Sequence, residues 1–402
     1  MREERTIGSF QHMKSLNRSL ILNKIREDGP ISRADIAKAT KLTPPTVGNI
    51  VKELLDAELV IETSRGESQG GRKPTMLEIN AKHFYLIGLD VSPSNIKVVL
   101  TDLNANIIYD NQIELPSRIT NHELLALMEK SIQPLLHDSR IDRQKVVGIG
   151  VGMHGVVDVG RGVSLYAPNL QLGNIPIKDF LEARFDIPVK VENDARAFAL
   201  GEVWFGSGNG ADSVVCVNVG RGIGAGVIIK GKLFHGEHFI GGEIGHMTID
   251  INGPRCTCGN DGCLQAMASG PAVAKRAQEW IASGHRSLLE NMVCGRLESI
   301  TGELVLQAAE QGDALSRRLL KETGVFLGIG LTNLIHMINP ERIVIGGGVS
   351  KCGDYILTPI KKTIEERALT TAAKQTQVRI SELGDHATAI GAISLCLVDL
   401  FS

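Results

Sequence analysis

The sequence predicts an α/β protein preceded by a winged helix-turn-helix at its amino terminus. Three short amphipathic helical segments followed by two short strands occupy the first 82 residues. From residue 83 onward, apolar strands alternate with helical segments, in the order βββαβαβ by residue 194. Such alternation is typical of helices layered on a sheet. A length of 402 residues allows two or three domains.

Charge is unevenly distributed along the chain. The formal net charge is −2, but residues 1–82 contain 14 Lys and Arg against 11 Asp and Glu, and the remainder contains 29 against 34. A local basic excess is typical of a small DNA-binding module on an acidic body, although a solvated helical face would show the same excess. The sequence has no run of 18 apolar residues and no apolar leader after Met1, so we expect a soluble cytoplasmic protein without a membrane span.

The first 82 residues contain the elements of a DNA-reading module. Helices are predicted at 14–27, 33–40 and 44–57, with Ser32 and Thr43 as caps of the second and third. Two strands around the basic segment 64–74 would form the wing. The candidate DNA contacts are Ser32, Arg33, Thr43, Pro44, Pro45, Thr46, Asn49 and Lys52 in the helices and Arg72 and Lys73 in the wing. A protein-binding or structural bundle and a plain solvated loop are the alternatives.

Four potential metal ligands fall within 18 residues near the middle of the chain. They are His246, Cys256, Cys258 and Cys263, and turn-forming glycines separate the last two. One imidazole and three thiolates fit a closed, tetrahedral and therefore structural zinc site. Unrelated buried cysteines are the alternative, and disulfides are less consistent with the rest of the sequence. Because Glu243 lies three residues before His246, a metal there would also orient Glu243, and a polar ligand site beside the metal is expected.

Further polar and glycine-rich segments resemble parts of ligand sites. Glu192-Asn193-Asp194 follows an apolar strand, and Asn193-Asp194 could equally be a helix cap. A hairpin turn at 220–226 has glycines at alternate positions and could cradle phosphate or simply pack tightly. A second glycine loop follows the strand that ends at Gly346.

Together, the three strands, the Glu-Asn-Asp turn, the glycine hairpin and the Glu-x-Gly-His…Cys-x-Cys-x4-Cys signature resemble the ROK family of sugar kinases and sugar-responsive repressors. The resemblance covers nearly the whole chain, and residues 245–263 look most like the xylose repressors of that family. It implies a two-lobed actin/hexokinase-like (ribonuclease H-like) fold with a sugar in the cleft. The expected domains are a winged helix-turn-helix at 1–82, a first lobe at 83–194 plus 385–402, and a second lobe with the zinc loop at 195–384.

The resemblance also implies site residues. Sugar contacts are expected from Gly155, Asn169, Asn193, Asp194, Glu243, His246 and Gln265, and Asp194 matches the catalytic base of the kinases. Several kinase features are altered: Pro93 interrupts a first phosphate turn that contains no glycine, and Arg221 replaces the usual Thr in the second. Gln265 and His154 replace a Glu and a Pro of the family pattern. We therefore expect no catalytic residues.

Three hypotheses follow. The first is a dimeric or tetrameric repressor that binds a palindromic, AT-rich operator, carries structural Zn²⁺ and responds to a sugar, with xylose as the leading candidate. The second is an ATP-dependent sugar kinase with an appended regulator. The third is a repressor controlled by another protein, with a vestigial sugar site. The sequence does not distinguish an inducer from a corepressor.

Overall fold

The computed structural model describes residues 10–65, 74–138 and 140–402. Arg72 and Lys73 of the expected wing lie outside the described residues. Within the described parts, no helix combines the length and the apolar character needed to cross a bilayer.

The amino-terminal module is a winged helix-turn-helix. Its elements are α1 (Phe10–Asp28), β1 (Ile31–Ser32), α2 (Arg33–Thr40), α3 (Pro44–Asp56), β2 (Val60–Arg65) and β3 (Thr75–Ile79). The strands form an antiparallel sheet in the order β1-β3-β2, and β1 was not predicted from the sequence. Ser32 Oγ accepts from the amide of Asp35, and Thr43 Oγ1 accepts from the amide of Thr46, so both predicted caps form.

The first α/β layer is a five-stranded sheet in the order β11-β7-β4-β5-β6. Its segment of the chain comprises β4 (Tyr85–Val91), β5 (Asn95–Thr101), β6 (Ile107–Glu114), α4 (Asn121–His137), β7 (Val146–Met153), β8 (Val156–Asp158), β9 (Val163–Ala167), β10 (Leu172–Ile175), α5 (Ile177–Phe185) and β11 (Val189–Asn193). Strands β4, β7 and β11 are parallel, so their carboxyl ends lie at one edge of the sheet. The small sheet β10-β9-β8 was not predicted.

The second layer is a five-stranded sheet in the order β14-β13-β12-β15-β16. The remaining elements are α6 (Asp194–Phe205), β12 (Val214–Val219), β13 (Ile223–Ile229), β14 (Lys232–Phe234), α7 (Leu264–Ala268), α8 (Gly270–Ala282), α9 (Leu288–Met292), α10 (Gly302–Glu310), α11 (Ala314–Ile338), β15 (Arg342–Gly346), α12 (Asp354–Arg367), α13 (Thr371–Lys374), β16 (Gln377–Ile380) and α14 (Ala387–Leu400).

Helices α6 and α14 join the two sheets and support the amino-terminal module. Helix α14 packs on β4 and β7, and α6 packs on β12, β13 and α14. The two helices approach so closely that a Cβ atom added to Gly391 would lie 1.9 Å from the carbonyl oxygen of Ala197. At their carboxyl ends they meet α1: the Arg26 guanidinium lies 4.3 Å from the Trp204 ring, and Asn23 Nδ2 donates to the carbonyl of Phe401 at 2.8 Å.

Candidate metal centre and ligand cleft

The structure brings the four predicted metal ligands together. One nitrogen of His246 and the sulfur atoms of Cys256, Cys258 and Cys263 all lie within 4.8 Å of one another. Cys256 Sγ is 3.8 Å from His246 Nδ1, and Cys258 Sγ is 3.7 Å from Cys263 Sγ. Neighbouring ligands of a tetrahedral metal are about 3.6–3.8 Å apart when the metal–ligand bonds have their usual lengths. The cysteines are not in disulfides, so the cluster could hold a metal ion.

The chain turns tightly around this cluster. Gly262 has φ +64°, and a Cβ atom there would lie 1.5 Å from the carbonyl oxygen of Asp250. Gln265, which is expected at the sugar site, contacts the metal loop: its Nε2 donates to Cys256 Sγ at 3.6 Å and to Thr257 Oγ1 at 3.4 Å. Gln265 therefore links the cluster to α7, the helix in which it lies.

The predicted pair Asn193 and Asp194 lies at the carboxyl end of β11, where α6 begins. Asn193 Oδ1 accepts from the amides of Ala195 and Arg196, at 3.0 and 3.1 Å, so the residue is the cap of α6. Its Nδ2 also donates to the carbonyl of Gly155 and to Asp194 Oδ1, both at 2.9 Å. These contacts hold Asn193, Asp194 and Gly155 together and use both donors and both acceptor positions of the Asn193 amide.

Two other predicted sugar contacts come from the first lobe. Gly155 has φ +92°, and a Cβ atom there would lie 2.1 Å from the carbonyl oxygen of Tyr166, so a side chain is sterically excluded. Asn169 is exposed in the turn between β9 and β10. The structure thus fixes Gly155 beside Asn193 but places Asn169 at a surface turn.

Glu243 is contributed by the segment that leads into the metal loop. Burial raises the pKa of the Glu243 carboxyl, His246 and Arg196 oppose this shift, and the charge of Asp194 adds to it. The two carboxylates are therefore within electrostatic range of each other, although their residues are 49 positions apart in the sequence. Burial also raises the pKa of Asp90 to about 7, with a further contribution from Asp194.

A buried ion-pair network, which the sequence did not reveal, supports the Glu243 segment. Glu192 is 2 % exposed and Arg196 is 1 % exposed, and Arg196 Nε donates to Glu192 Oε1 at 2.8 Å. Glu192 Oε2 is 2.7 Å from His235 Nε2. Arg196 Nη1 donates to the carbonyls of Phe239 and Gly241 at 3.1 Å. The i,i+4 spacing of a Glu and an Arg was the available signal, but it gives no indication of burial.

The region between the two five-stranded sheets has a second half, which contains a cavity of about 480 Å³. Its lining includes Asp90, Lys97, Asn218, Gly347, Lys351 and Asp385. Lys97 Nζ donates to the Asp385 carbonyl at 3.1 Å, and Lys351 Nζ lies 2.8 Å from Asp385 Oδ1. In the adjacent turn, Ser92 Oγ accepts from the amides of Ser94 and Asn95, at 3.3 and 3.1 Å. These amides are thus directed at a side chain of their own turn.

The amino-terminal module presents most of the expected DNA contacts at its surface. Thr43, Pro44, Pro45, Asn49 and Lys52 are exposed and Thr46 is half-buried. Arg33 pairs with Glu62 at 2.7 Å. Ser32 is 3 % exposed, and its hydroxyl is used in the cap of α2. The first turn of α3 is therefore the principal candidate surface for DNA, whereas Ser32 has a structural position.

The fold and the site define a two-lobed actin/hexokinase-like protein that carries a winged helix-turn-helix. The ROK family profile matches residues 86–398, and the profile for winged helix-turn-helix DNA-binding matches residues 15–61. The chain belongs to the ROK family.

Relatives and solved structures agree with this assignment. The xylose repressor of Caldicellulosiruptor bescii is 31 % identical over 98 % of this chain and 99 % of its own. The DNA-binding transcriptional dual regulator NagC of Escherichia coli is 31 % identical over 97 % and 94 %. The crystal structure of a ROK family transcriptional regulator, a homologue of the E. coli MLC protein, has a TM-score of 0.86, with 29 % identity and 97 % of each chain covered. A ROK family glucokinase from Streptomyces griseus, in complex with glucose and AMPPNP, has a TM-score of 0.70, with 32 % identity over 77 % of this chain and 98 % of its own.

Proposed function

We propose that this protein is a transcriptional repressor of sugar-utilisation genes whose effector sugar binds between the two lobes. The observation that carries the proposal is that one chain combines an exposed α3 surface with a cleft in which Asn193 is hydrogen-bonded to Asp194 and the charge of Asp194 acts on the Glu243 carboxyl. Full-length relatives named xylose repressor and NagC support it. Xylose is the leading candidate effector. The domain boundaries proposed are 1–82, 83–194 with 385–402, and 195–384.

Helix α6 offers a physical connection between the cleft and the DNA-binding module. Its first residue is Asp194, and near its last turn Trp204 contacts Arg26 of α1. A sugar that binds one arrangement of the lobes more tightly shifts the population toward it. A dimer or tetramer would convert that shift into a changed spacing of two α3 helices on a palindromic, AT-rich operator. In the alternative form of this proposal, a partner protein controls the repressor and the sugar site is vestigial.

We further propose that the Cys₃His cluster holds structural Zn²⁺. Three thiolates and one imidazole suit zinc, and the interatomic distances of 3.7 and 3.8 Å suit a tetrahedron. All four coordination positions would be filled by the protein, so the metal would order the loop rather than activate water. Because His246 follows Glu243 by three residues, this order extends to the cleft.

Kinase activity is the second candidate, favoured by the position of Asp194 and the similarity to the glucokinase. Phosphoryl transfer requires a site that cradles phosphate and Mg²⁺. The amides of Ser94 and Asn95 are directed at Ser92, and Pro93 has none to offer. These contacts favour a protein that binds sugar without phosphorylating it. A coupled ATP assay that showed turnover, abolished in Asp194→Ala, would restore the kinase hypothesis.

The direct test is DNA binding by the purified full chain. Fluorescence anisotropy with labelled promoter fragments of neighbouring sugar genes would be titrated with xylose, glucose and N-acetylglucosamine. We expect binding that weakens steeply with salt, because phosphate contacts dominate affinity, and that one sugar alters. Tight binding that no sugar alters would favour control by a protein, and absence of DNA binding would contradict the repressor assignment.

A further inference from the structure

His154 has a polar atom that the protein itself leaves without a partner. The side chain is 5 % exposed, and its Nδ1 lies 3.2 Å from the carbonyl oxygen of Val91. A carbonyl oxygen only accepts hydrogen bonds, so Nδ1 carries the proton of this contact. Nε2 of the neutral ring is then an acceptor. In the described part of the chain, Nε2 is buried and makes no hydrogen bond.

The position of His154 in the first sheet places it next to residues of the proposed ligand cleft. It directly follows β7, whose last residue, Met153, pairs with Val91 of β4 and with Asn193 of β11. The next residue, Gly155, accepts a hydrogen bond from Asn193. His154 is therefore at the carboxyl ends of three parallel strands, beside the Asn193–Asp194 pair. Burial lowers the pKa of His154 and so favours the neutral ring, and the weaker opposing effects come from Asp194 and the hydrogen bond to the Val91 carbonyl.

The charges around this position favour a neutral ligand. Asp90, Asp194 and Glu243 supply carboxyl groups, and the charge of Asp194 acts on the other two. The Arg196 guanidinium is paired with Glu192, whereas the Lys97 ammonium acts on Asp90 and donates to the carbonyl of Asp385 on the side of the 480 Å³ cavity. Carboxyl oxygens and a bare imidazole nitrogen accept from hydroxyl groups, whereas a phosphate dianion has no proton to donate to them.

We propose that His154 Nε2 accepts a hydrogen bond from one hydroxyl of the effector, and that the effector is an unphosphorylated sugar. This inference rests on the proposed function, because it specifies the ligand of the same cleft. A buried acceptor without a partner is unfavourable, so ligand binding would satisfy a group that folding leaves unpaired. His154 would then discriminate sugars by the hydroxyl that faces it.

The experiment is calorimetric titration of the full-length protein with xylose, glucose, N-acetylglucosamine and the 6-phosphates of the two hexoses. The sugar that binds is then compared with its monodeoxy analogues, in wild type and in His154→Leu and His154→Gln. We expect at least a tenfold loss of affinity in His154→Leu, partial recovery in His154→Gln, whose amide oxygen can accept, and no binding of the phosphates. One deoxy analogue should bind weakly to wild type yet lose nothing further in His154→Leu.

Operator binding without sugar and metal content serve as folding controls. If His154→Leu fails them, His154→Gln and the deoxy series in wild type carry the test. Sugar binding that is independent of residue 154, or tighter binding of a sugar phosphate, would overturn this inference and leave the proposed function intact. Binding of no sugar at all would overturn both.

Discussion

The region between the two lobes has two halves, and they differ in whether their polar groups already have hydrogen-bond or ion-pair partners within the protein. In the half that contains His154, Asp194 and Glu243, His154 Nε2 has no partner within the described residues, and the charge of Asp194 acts on the Glu243 carboxyl. In the other half, Lys97 and Lys351 both contact Asp385, and Ser92 holds the amides of its own turn. Groups satisfied by the protein must break those contacts to bind a ligand, whereas unsatisfied groups gain by binding. We therefore expect the first half to bind sugar and the second not to bind nucleotide.

The largest expected effect is on the ligand half and follows from metal removal. Cys258→Ala removes an exposed member of the Cys₃His cluster, so we expect the protein not to retain the proposed zinc and its sugar affinity to fall on the order of 100-fold, because Glu243 is no longer held. Metal analysis and calorimetry would measure both. The matched control is Cys294→Ala, an exposed free cysteine outside the cluster. Unchanged sugar binding by the metal-free protein would show that the sugar site does not depend on the metal cluster.

The next effect concerns the carboxylate at the start of α6. Asp194→Asn replaces a charged acceptor by a neutral amide, and a hydrogen bond to a charged group contributes about 1.5–3 kcal/mol. We expect sugar affinity to fall about 10- to 100-fold in calorimetry, with operator affinity unchanged. Asp179→Asn, the same change at an exposed position in α5, should be neutral. An Asp194→Asn protein with normal sugar affinity would remove Asp194 from the site.

Asp90, at the boundary of the two halves, should make stability depend on pH. Its pKa in the folded protein is about 7, raised by burial from 3.8. The folded state therefore holds the proton more tightly, and the protein loses stability as pH rises from about 4 to above 7. We expect Asp90→Asn to raise Tm at pH 8 and to have little effect at pH 4. Equal changes at both pH values would show that Asp90 is ionised throughout.

A smaller effect is expected where α1 rests on α6. Arg26→Ala removes the guanidinium that lies 4.3 Å from the Trp204 ring, a contact of about 1 kcal/mol. The factor by which sugar changes operator affinity should fall about fivefold, while sugar affinity in the absence of DNA stays unchanged. Arg26→Lys, which keeps the charge but not the planar group, should be intermediate. An unaltered sugar response in Arg26→Ala would exclude this contact from the coupling.

The smallest effect is expected in the second half. The Lys351–Asp385 pair is more than half exposed, so Lys351→Ala should change the free energy of unfolding by no more than about 0.5 kcal/mol. Sugar affinity should not change, and millimolar ATP should not shift Tm in either protein. A Tm shift by ATP that Lys351→Ala abolishes would show that this half still binds nucleotide and would remove the contrast between the halves.

Local signals in the sequence were sufficient for much of the fold and for the metal cluster. The second and third helices of the amino-terminal module follow from their capping residues, Ser32 and Thr43. The four metal ligands lie close together in the sequence, so their spacing alone indicated a shared centre.

Features that depend on distant contacts could not be predicted in this way. The Glu192–Arg196–His235 network depends on a loop 43 residues downstream of Glu192. The two-residue strand β1 exists only through its pairing with β3. The contact of Gln265 with Cys256 and Thr257 was likewise not predicted.

The central claim is that sugar binding in the cleft and DNA binding by α3 are thermodynamically coupled within one protein. The most direct test is to measure sugar affinity by calorimetry in the presence and absence of saturating operator, and operator affinity with and without sugar. Thermodynamic linkage requires that the factor by which operator changes sugar affinity equals the factor by which sugar changes operator affinity. We predict a common factor of about 5–150. Sugar affinity that is identical with and without operator would contradict it.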